Sequence, residues 1–129
     1  MWRKLTISET FTMAMAEYAW TSFNENAKVF ECAPQSKKGD QRFHPTAKPI
    51  ALYEWVFRLF AQPGDKILDT HLGSGSSRIA AYEAGLDFVG CEIDHTYFDL
   101  EEERFAKFVS QRSIFDADYG VAEQTGLWE

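Results

Sequence analysis

The stretch from Asp65 to Asp94, DKILDTHLGSGSSRIAAYEAGLDFVGCEID, constrains this chain more than any other. A short apolar run ends in Asp69. A glycine-serine turn follows, Gly73-Ser74-Gly75-Ser76, and then a helical stretch stopped by Gly85. A second apolar run, Phe88 to Gly90, leads into the acidic residues Glu92 and Asp94. The order strand, tight loop, helix, strand predicts a unit of an α/β sheet with polar residues at the carboxyl ends of both strands. Open α/β sheets bind their ligands at those ends, and the layout points to a nucleoside cofactor.

The 129 residues predict one domain. A hydrophobic fraction of 45% with 16% aromatics suits a packed core and excludes a disordered chain. The formal charge of −7 counts against nucleic-acid binding by this chain alone, because such binders usually carry a basic face. Cys32 and Cys91 both stand in apolar runs and read as reduced core residues of a cytoplasmic protein. The first ten residues, MWRKLTISET, lack the apolar segment of a secretion signal. No run approaches the ~18 apolar residues of a membrane span, so no membrane partner is expected.

Residues 1–10 show no clear period. From Glu17 on, aromatic and Thr content favours a strand. Asn24-Glu25-Asn26 reads as a turn and Ala27 to Cys32 as a second strand, so 17–34 is expected to form an antiparallel hairpin. Residues 35–43 form a polar loop carrying Lys37, Lys38 and Arg42. Pro49 opens a helix in which Leu52, Trp55, Val56, Leu59 and Phe60 make one apolar stripe. Pro63-Gly64-Asp65 stops it. A short buried strand over 66–69, a helix over 76–84 and a strand over 87–92 follow. A charged amphipathic helix runs from Tyr97 to Val109 with Phe98, Phe105 and Phe108 on it. Residues 44–115 thus make the cofactor-binding α/β part of a single domain, and 116–129 an acidic, aperiodic, loose tail.

Gly73 and Gly75 let the backbone turn through positive φ and approach a ligand closely. Ser76 is placed to cap the next helix, whose free N–H groups face the ligand. Taken alone, Gly-Ser-Gly-Ser is also how an ordinary strand-to-helix turn is written. Glu92 can accept hydrogen bonds from ribose hydroxyls, although any strand can end in a solvated carboxylate; Asp94 can cap the helix after it. His44-Pro45-Thr46-Ala47-Lys48-Pro49 makes a rigid polar corner, or a plain helix start with Thr46 as its cap. Gly-Ser-Gly-Ser lacks the third glycine of the dinucleotide fingerprint. His44, His71 and His95 have no metal-ligand spacing, so no metal is expected.

Three segments in this order, FHPTAKP, LDTHLGSGSS and GCEID, resemble the beta-class amino DNA methyltransferases, which methylate the exocyclic nitrogen of adenine or cytosine. The resemblance covers residues 43–94 and extends loosely to 17–34. It implies a partial Rossmann-like S-adenosylmethionine-dependent methyltransferase fold, a truncated sheet with helices on both faces. By the same resemblance the cofactor is S-adenosylmethionine. Asp69, Leu72, Gly73, Ser74, Gly75 and Ser76 would line its methionine part. Glu92, with Ile93 beside it, would hold the ribose end, and His44, Thr46 and Lys48 would meet the carboxylate end.

The sequence departs from the family pattern in two places. Thr70-His71 stands where the family has Pro-Phe. The family also holds its flipped base with an Asp/Asn/Ser-Pro-Pro-Tyr/Phe turn, whereas the prolines here, Pro34, Pro45, Pro49 and Pro63, include no adjacent pair. The resemblance therefore implies no catalytic residue in this chain. It implies the cofactor-binding portion of a DNA (adenine-N6 or cytosine-N4) methyltransferase, inactive alone. The alternative is a non-catalytic relic or interaction module. DNA would be met only in a larger complex, through Lys37, Lys38 and Arg42. A shortened sheet leaves an open edge and apolar faces, so a complementing chain with the missing strands, or a homo-oligomer, is expected.

Overall fold

The computed structural model describes residues 2–5, 16–32 and 47–122. Strands β1 (Trp2–Leu5) and β2 (Ala16–Ala19) pair antiparallel, Trp2 opposite Ala19 and Leu5 opposite Ala16. Helix α1 (Ile50–Phe60) leads into β3 (Lys66–Asp69), helix α2 (Ser76–Glu83), β4 (Asp87–Gly90) and the long helix α3 (His95–Ala122). Strands β3 and β4 run parallel, with Leu68 opposite Val89 and Asp69 opposite Gly90. The ladder continues past both strands: the Cys91 amide donates to the Asp69 carbonyl at 2.8 Å and the Leu72 amide to the Cys91 carbonyl at 2.9 Å. This small α/β architecture, a short sheet with three helices, is the class expected from the sequence.

Local chemistry explains the boundaries. Pro49, at φ −66°, precedes the first residue of α1. Its carbonyl accepts from Leu52 at 3.1 Å. The turn after α1 is closed by the Gln62 amide on the Asp65 carboxylate, 2.8 Å. Helix α2 ends in paired bonds from Gly85 N–H to Tyr82 and from Leu86 N–H to Ala81, at 3.1 and 2.9 Å, a glycine-terminated Schellman stop. Helix α3 is capped by Asp94, whose Oδ1 accepts from Thr96 at 2.8 Å and Tyr97 at 3.2 Å.

Among the described residues the buried apolar side chains are Leu52, Leu72, Ile79, Ala80 and Ala81. Helices α2 and α3 run in the same direction, Arg78 pairing with Glu101 and Glu83 with Arg112. Tyr82 meets Phe105 and Phe108 edge-on between them, at 5.6 and 6.2 Å. No helix among the described residues is long and apolar enough to cross a membrane.

Several expectations need correction. Residues 27–32 form no strand, so the 17–34 hairpin is not made; β2 pairs instead with β1, in a stretch without hydrophobic period. The apolar residues of that segment go to α1: Phe23 stacks on Phe60 at 4.6 Å and Phe30 tilts against Trp55 at 5.4 Å. Side-chain docking on a helix takes the place of a ladder. Cys32 and Cys91 are exposed rather than in the core. Strand β3 is not buried on both faces; Leu68 is 66% exposed and its neighbour Val89 58%. Strand β4 stops at Gly90, before Glu92. Helix α3 starts two residues early and continues to Ala122, so the first residues of the expected tail are helical. The 35–43 loop lies outside the described residues.

Candidate functional site

The candidate site is the ground between the carboxyl ends of β3 and β4, bridged by the loop 70–75. Three features fix the loop. The Gly75 amide donates back to the Leu72 carbonyl at 3.0 Å, a tight turn with Gly73 at φ 55°. Gly75 itself stands at φ 73° as the residue before α2, a left-handed conformation that a Cβ would strain. The Gly73 amide donates to Glu92 Oε2 at 2.8 Å, which ties the loop to the end of the second strand.

Both strand-end carboxylates are therefore placed by backbone donors. Glu92 Oε1 also accepts from the Asp94 amide at 3.0 Å. Asp69 Oδ1 accepts from the His71 amide at 3.0 Å and Oδ2 from the Ser77 hydroxyl at 2.5 Å. Each carboxylate oxygen has more than one lone pair, so both side chains keep acceptor capacity for a ligand while their positions are set. Tyr53 of α1 is pushed up to about 12, first by burial and then by the negative charge of Asp69. It stays neutral across the working range, near enough to Asp69 to feel its charge.

Of the residues expected from the sequence, Asp69, Leu72, Gly73, Ser74, Gly75, Ser76 and Glu92 converge here. Leu72 is buried, and its methyl groups would lie 2.9 and 3.1 Å from a Cβ on Gly90, which explains the glycine at that strand end. Ile93, next to Glu92, is 97% exposed. Ser76 does not cap α2: Gly75 is the cap residue, without a side-chain bond. The Ser76 hydroxyl meets Ser74 Oγ at 3.3 Å and accepts from Arg104 at 3.1 Å. Lys48 forms an ion pair with Glu17 of β2. His71 touches Thr70 through its ring, 2.9 Å. His44, Thr46, Lys37, Lys38 and Arg42 lie outside the described residues. Among the described residues no three His, Cys, Asp or Glu side chains gather as a metal site would require.

Sequence reasoning missed Tyr53, Ser77, Arg78, Glu101 and Arg104. For Glu101 a signal existed. Phe98, Glu101, Phe105 and Phe108 repeat at helical spacing, so the carboxylate falls on the apolar stripe of α3. Its side chain is 1% exposed, with Oε2 accepting from Arg78 at 2.9 Å. Arg78 also pairs with Glu102 and lies over the Phe105 ring at 3.9 Å.

A family model described as DNA methylase matches residues 9–103. The YubD protein of Escherichia coli (strain K12) is 33% identical over 70 residues, 54% of this chain and 31% of that protein. The type II methyltransferase M1.MboII of Moraxella bovis is 39% identical over 54 residues, 42% of this chain and 21% of that protein. The solved structure of an M1.HpyAVI-SAM complex is 30% identical, covers 64% of this chain and 42% of its own, and superposes with a TM-score of 0.49. The matched segments thus span 31% and 21% of the curated relatives' lengths.

Proposed function

Because the chain belongs to the DNA methylase family of N6/N4 amino methyltransferases, we propose that it is the S-adenosylmethionine-binding portion of a DNA (adenine-N6 or cytosine-N4) methyltransferase and does not transfer the methyl group alone. The observation that carries this reading is the pair of backbone-anchored carboxylates, Asp69 and Glu92, facing one glycine turn across parallel strand ends. A cofactor with a ribose and an ammonium-bearing methionine tail offers donors to both. Glu92 accepts from the ribose hydroxyls, with the exposed Ile93 side chain beside it for the flat adenine ring. Asp69 and the Gly73–Ser76 loop take the methionine part. Lys48, with His44 and Thr46, serves the carboxylate end.

The second half of the proposal rests on what transfer demands. The exocyclic nitrogen has to lie in line with the sulfonium methyl at near-attack distance, with the base extruded from the helix. The chain has no adjacent prolines to build the family's base-holding turn, and its charge is −7. The exposed Leu68 and Val89, side by side on one face of β3 and β4, support the view that a further element packs on that face, since parallel sheets are normally covered on both faces. That cover would come from a complementing chain or a second copy, and DNA would be engaged in that assembly.

Calorimetric titration of the folded chain with S-adenosylmethionine tests the first half. Measurable heat is expected, and Glu92→Ala should lose roughly 1–3 kcal/mol of binding. No heat at millimolar ligand refutes it. Transfer of label from the cofactor to mixed-sequence DNA tests the second half: none is expected, and incorporation abolished by Asp69→Ala would overturn it.

A further inference from the structure

The loop is held at its back by two side chains of α3. Arg104 Nη1 donates to the Ser74 carbonyl at 2.6 Å and to Ser76 Oγ at 3.1 Å. The N–H of the same Ser74–Gly75 peptide donates to Leu72 at 3.0 Å. That peptide plane is bonded at both edges and cannot turn over without breaking one of them. Glu101 stands one turn earlier on α3. Its Oε1 is buried and accepts no hydrogen bond from the described residues. It lies 2.4 Å from where a Cβ on Gly75 would stand, as does the Glu101 Cγ. A buried carboxylate oxygen without a partner carries a desolvation cost. An apolar side chain would fill the same space without it.

We propose that Glu101 is a positioning residue: paired with Arg78 and acting beside Arg104, it sets the Gly73–Ser76 loop from behind in the conformation that meets the cofactor. This rests on the reading above that the loop receives S-adenosylmethionine. The charged groups facing Glu101 are Arg78 from α2 and Glu102 and Arg104 on its own helix. Burial pushes its carboxyl up, Arg78 and Arg104 draw it back, and Glu102 adds to the rise. Protonation weakens the Arg78 pairing and loosens the side chain against Gly75. The loop therefore senses the charge on a residue that touches no ligand.

The test follows the Gly73 and Gly75 amide resonances of the full chain through the acidic range and pairs them with cofactor calorimetry. The Gly75 amide should titrate with a midpoint above the ordinary glutamate range. That titration should vanish in Glu101→Gln and persist in Glu102→Gln. Glu101→Ala should bind cofactor more weakly, by on the order of tenfold, and Glu101→Gln, which keeps volume and the Arg78 bond, should restore most of it. A Gly75 titration unchanged in Glu101→Gln, or full affinity in Glu101→Ala, overturns the proposal. If Glu101→Ala does not fold, the Glu101→Gln amide titration decides. If the wild-type chain gives no heat with S-adenosylmethionine, the cofactor reading fails, and the amide titration still decides whether Glu101 sets the loop.

Discussion

Gly75→Ala should be among the most damaging single-atom additions to this chain, for two separable reasons. The residue sits at φ 73°, and an L-side chain there costs about 1–2 kcal/mol. The added Cβ would also stand 2.4 Å from two Glu101 atoms and 2.8 Å from a third, where ordinary contact begins at 3.4 Å. Glu101 is 1% exposed and pinned by Arg78, so it has nowhere to swing. Overpacking of that kind adds about 1–3 kcal/mol, for a total of about 2–5 kcal/mol. The molecule supplies its own control: Gly85 has φ 67° with nothing within 4 Å of a Cβ. Gly85→Ala should therefore cost only the backbone share, about 1–2 kcal/mol. In a Glu101→Ala background, Gly75→Ala should fall to that same value, a coupling of about 1–3 kcal/mol. Urea unfolding with matched m-values measures wild type, the three single variants and the double variant. If Gly75→Ala costs no more than Gly85→Ala, or costs the same with and without Glu101, the contact behind the loop is not the one described.

Three further outcomes are expected. The raised Glu101 carboxyl means that the folded state holds its proton more tightly than the unfolded chain. Its stabilising share is full below the ordinary value of 4.5 and is lost as pH rises from there through the folded value; Glu101→Gln should flatten that fall in a melting-temperature series. The exposed Glu103, drawn down by its hydrogen bond to Lys107 and then by that charge, acts in the opposite sense and should be unaffected by the substitution. In spectrophotometric titration one tyrosine should ionise near 12, disappear in Tyr53→Phe and shift down in Asp69→Asn, because Asp69 contributes to the rise after burial; no change in Asp69→Asn would place Tyr53 elsewhere. Gly90→Ala should cost about 1–3 kcal/mol by driving a Cβ into Leu72 and Phe88, and thermal unfolding that matches wild type would contradict the packing.

The parts legible in the sequence were those dictated by short-range chemistry. An apolar run closed by an aspartate gave β3 to the residue, and Gly85 marked the end of α2 because few residues other than glycine complete that stop. The Gly73–Gly75 turn was likewise local, whereas the strand expected to end in Glu92 stops at Gly90. Pairings over distance were not legible. Residues 2–5 carry no period, yet they supply the partner of β2. The 27–32 segment has strand composition, but Phe30 finds a better surface on Trp55 than on a neighbouring strand. The length of α3 escaped because extending a formed helix costs little per residue, even through an aperiodic sequence. Glu101 escaped because three successive glutamates read as a solvated face, although only the first lies on the phenylalanine stripe.

The burial of the loop has a wider consequence. Binding loops usually lie at the soft end of a fold, supported by a scaffold that can tolerate changes in them. Here residues 72–77 are continuously buried and join Ile79, Ala80 and Ala81 in the best-packed stretch described. On the proposed reading, recognition and folding draw on the same atoms, and there is no inert framework to absorb a substitution made for affinity. Retuning this chain toward a different ligand would mean rebuilding its centre, so variation in what it does is better accommodated in whatever surrounds it than in the loop itself.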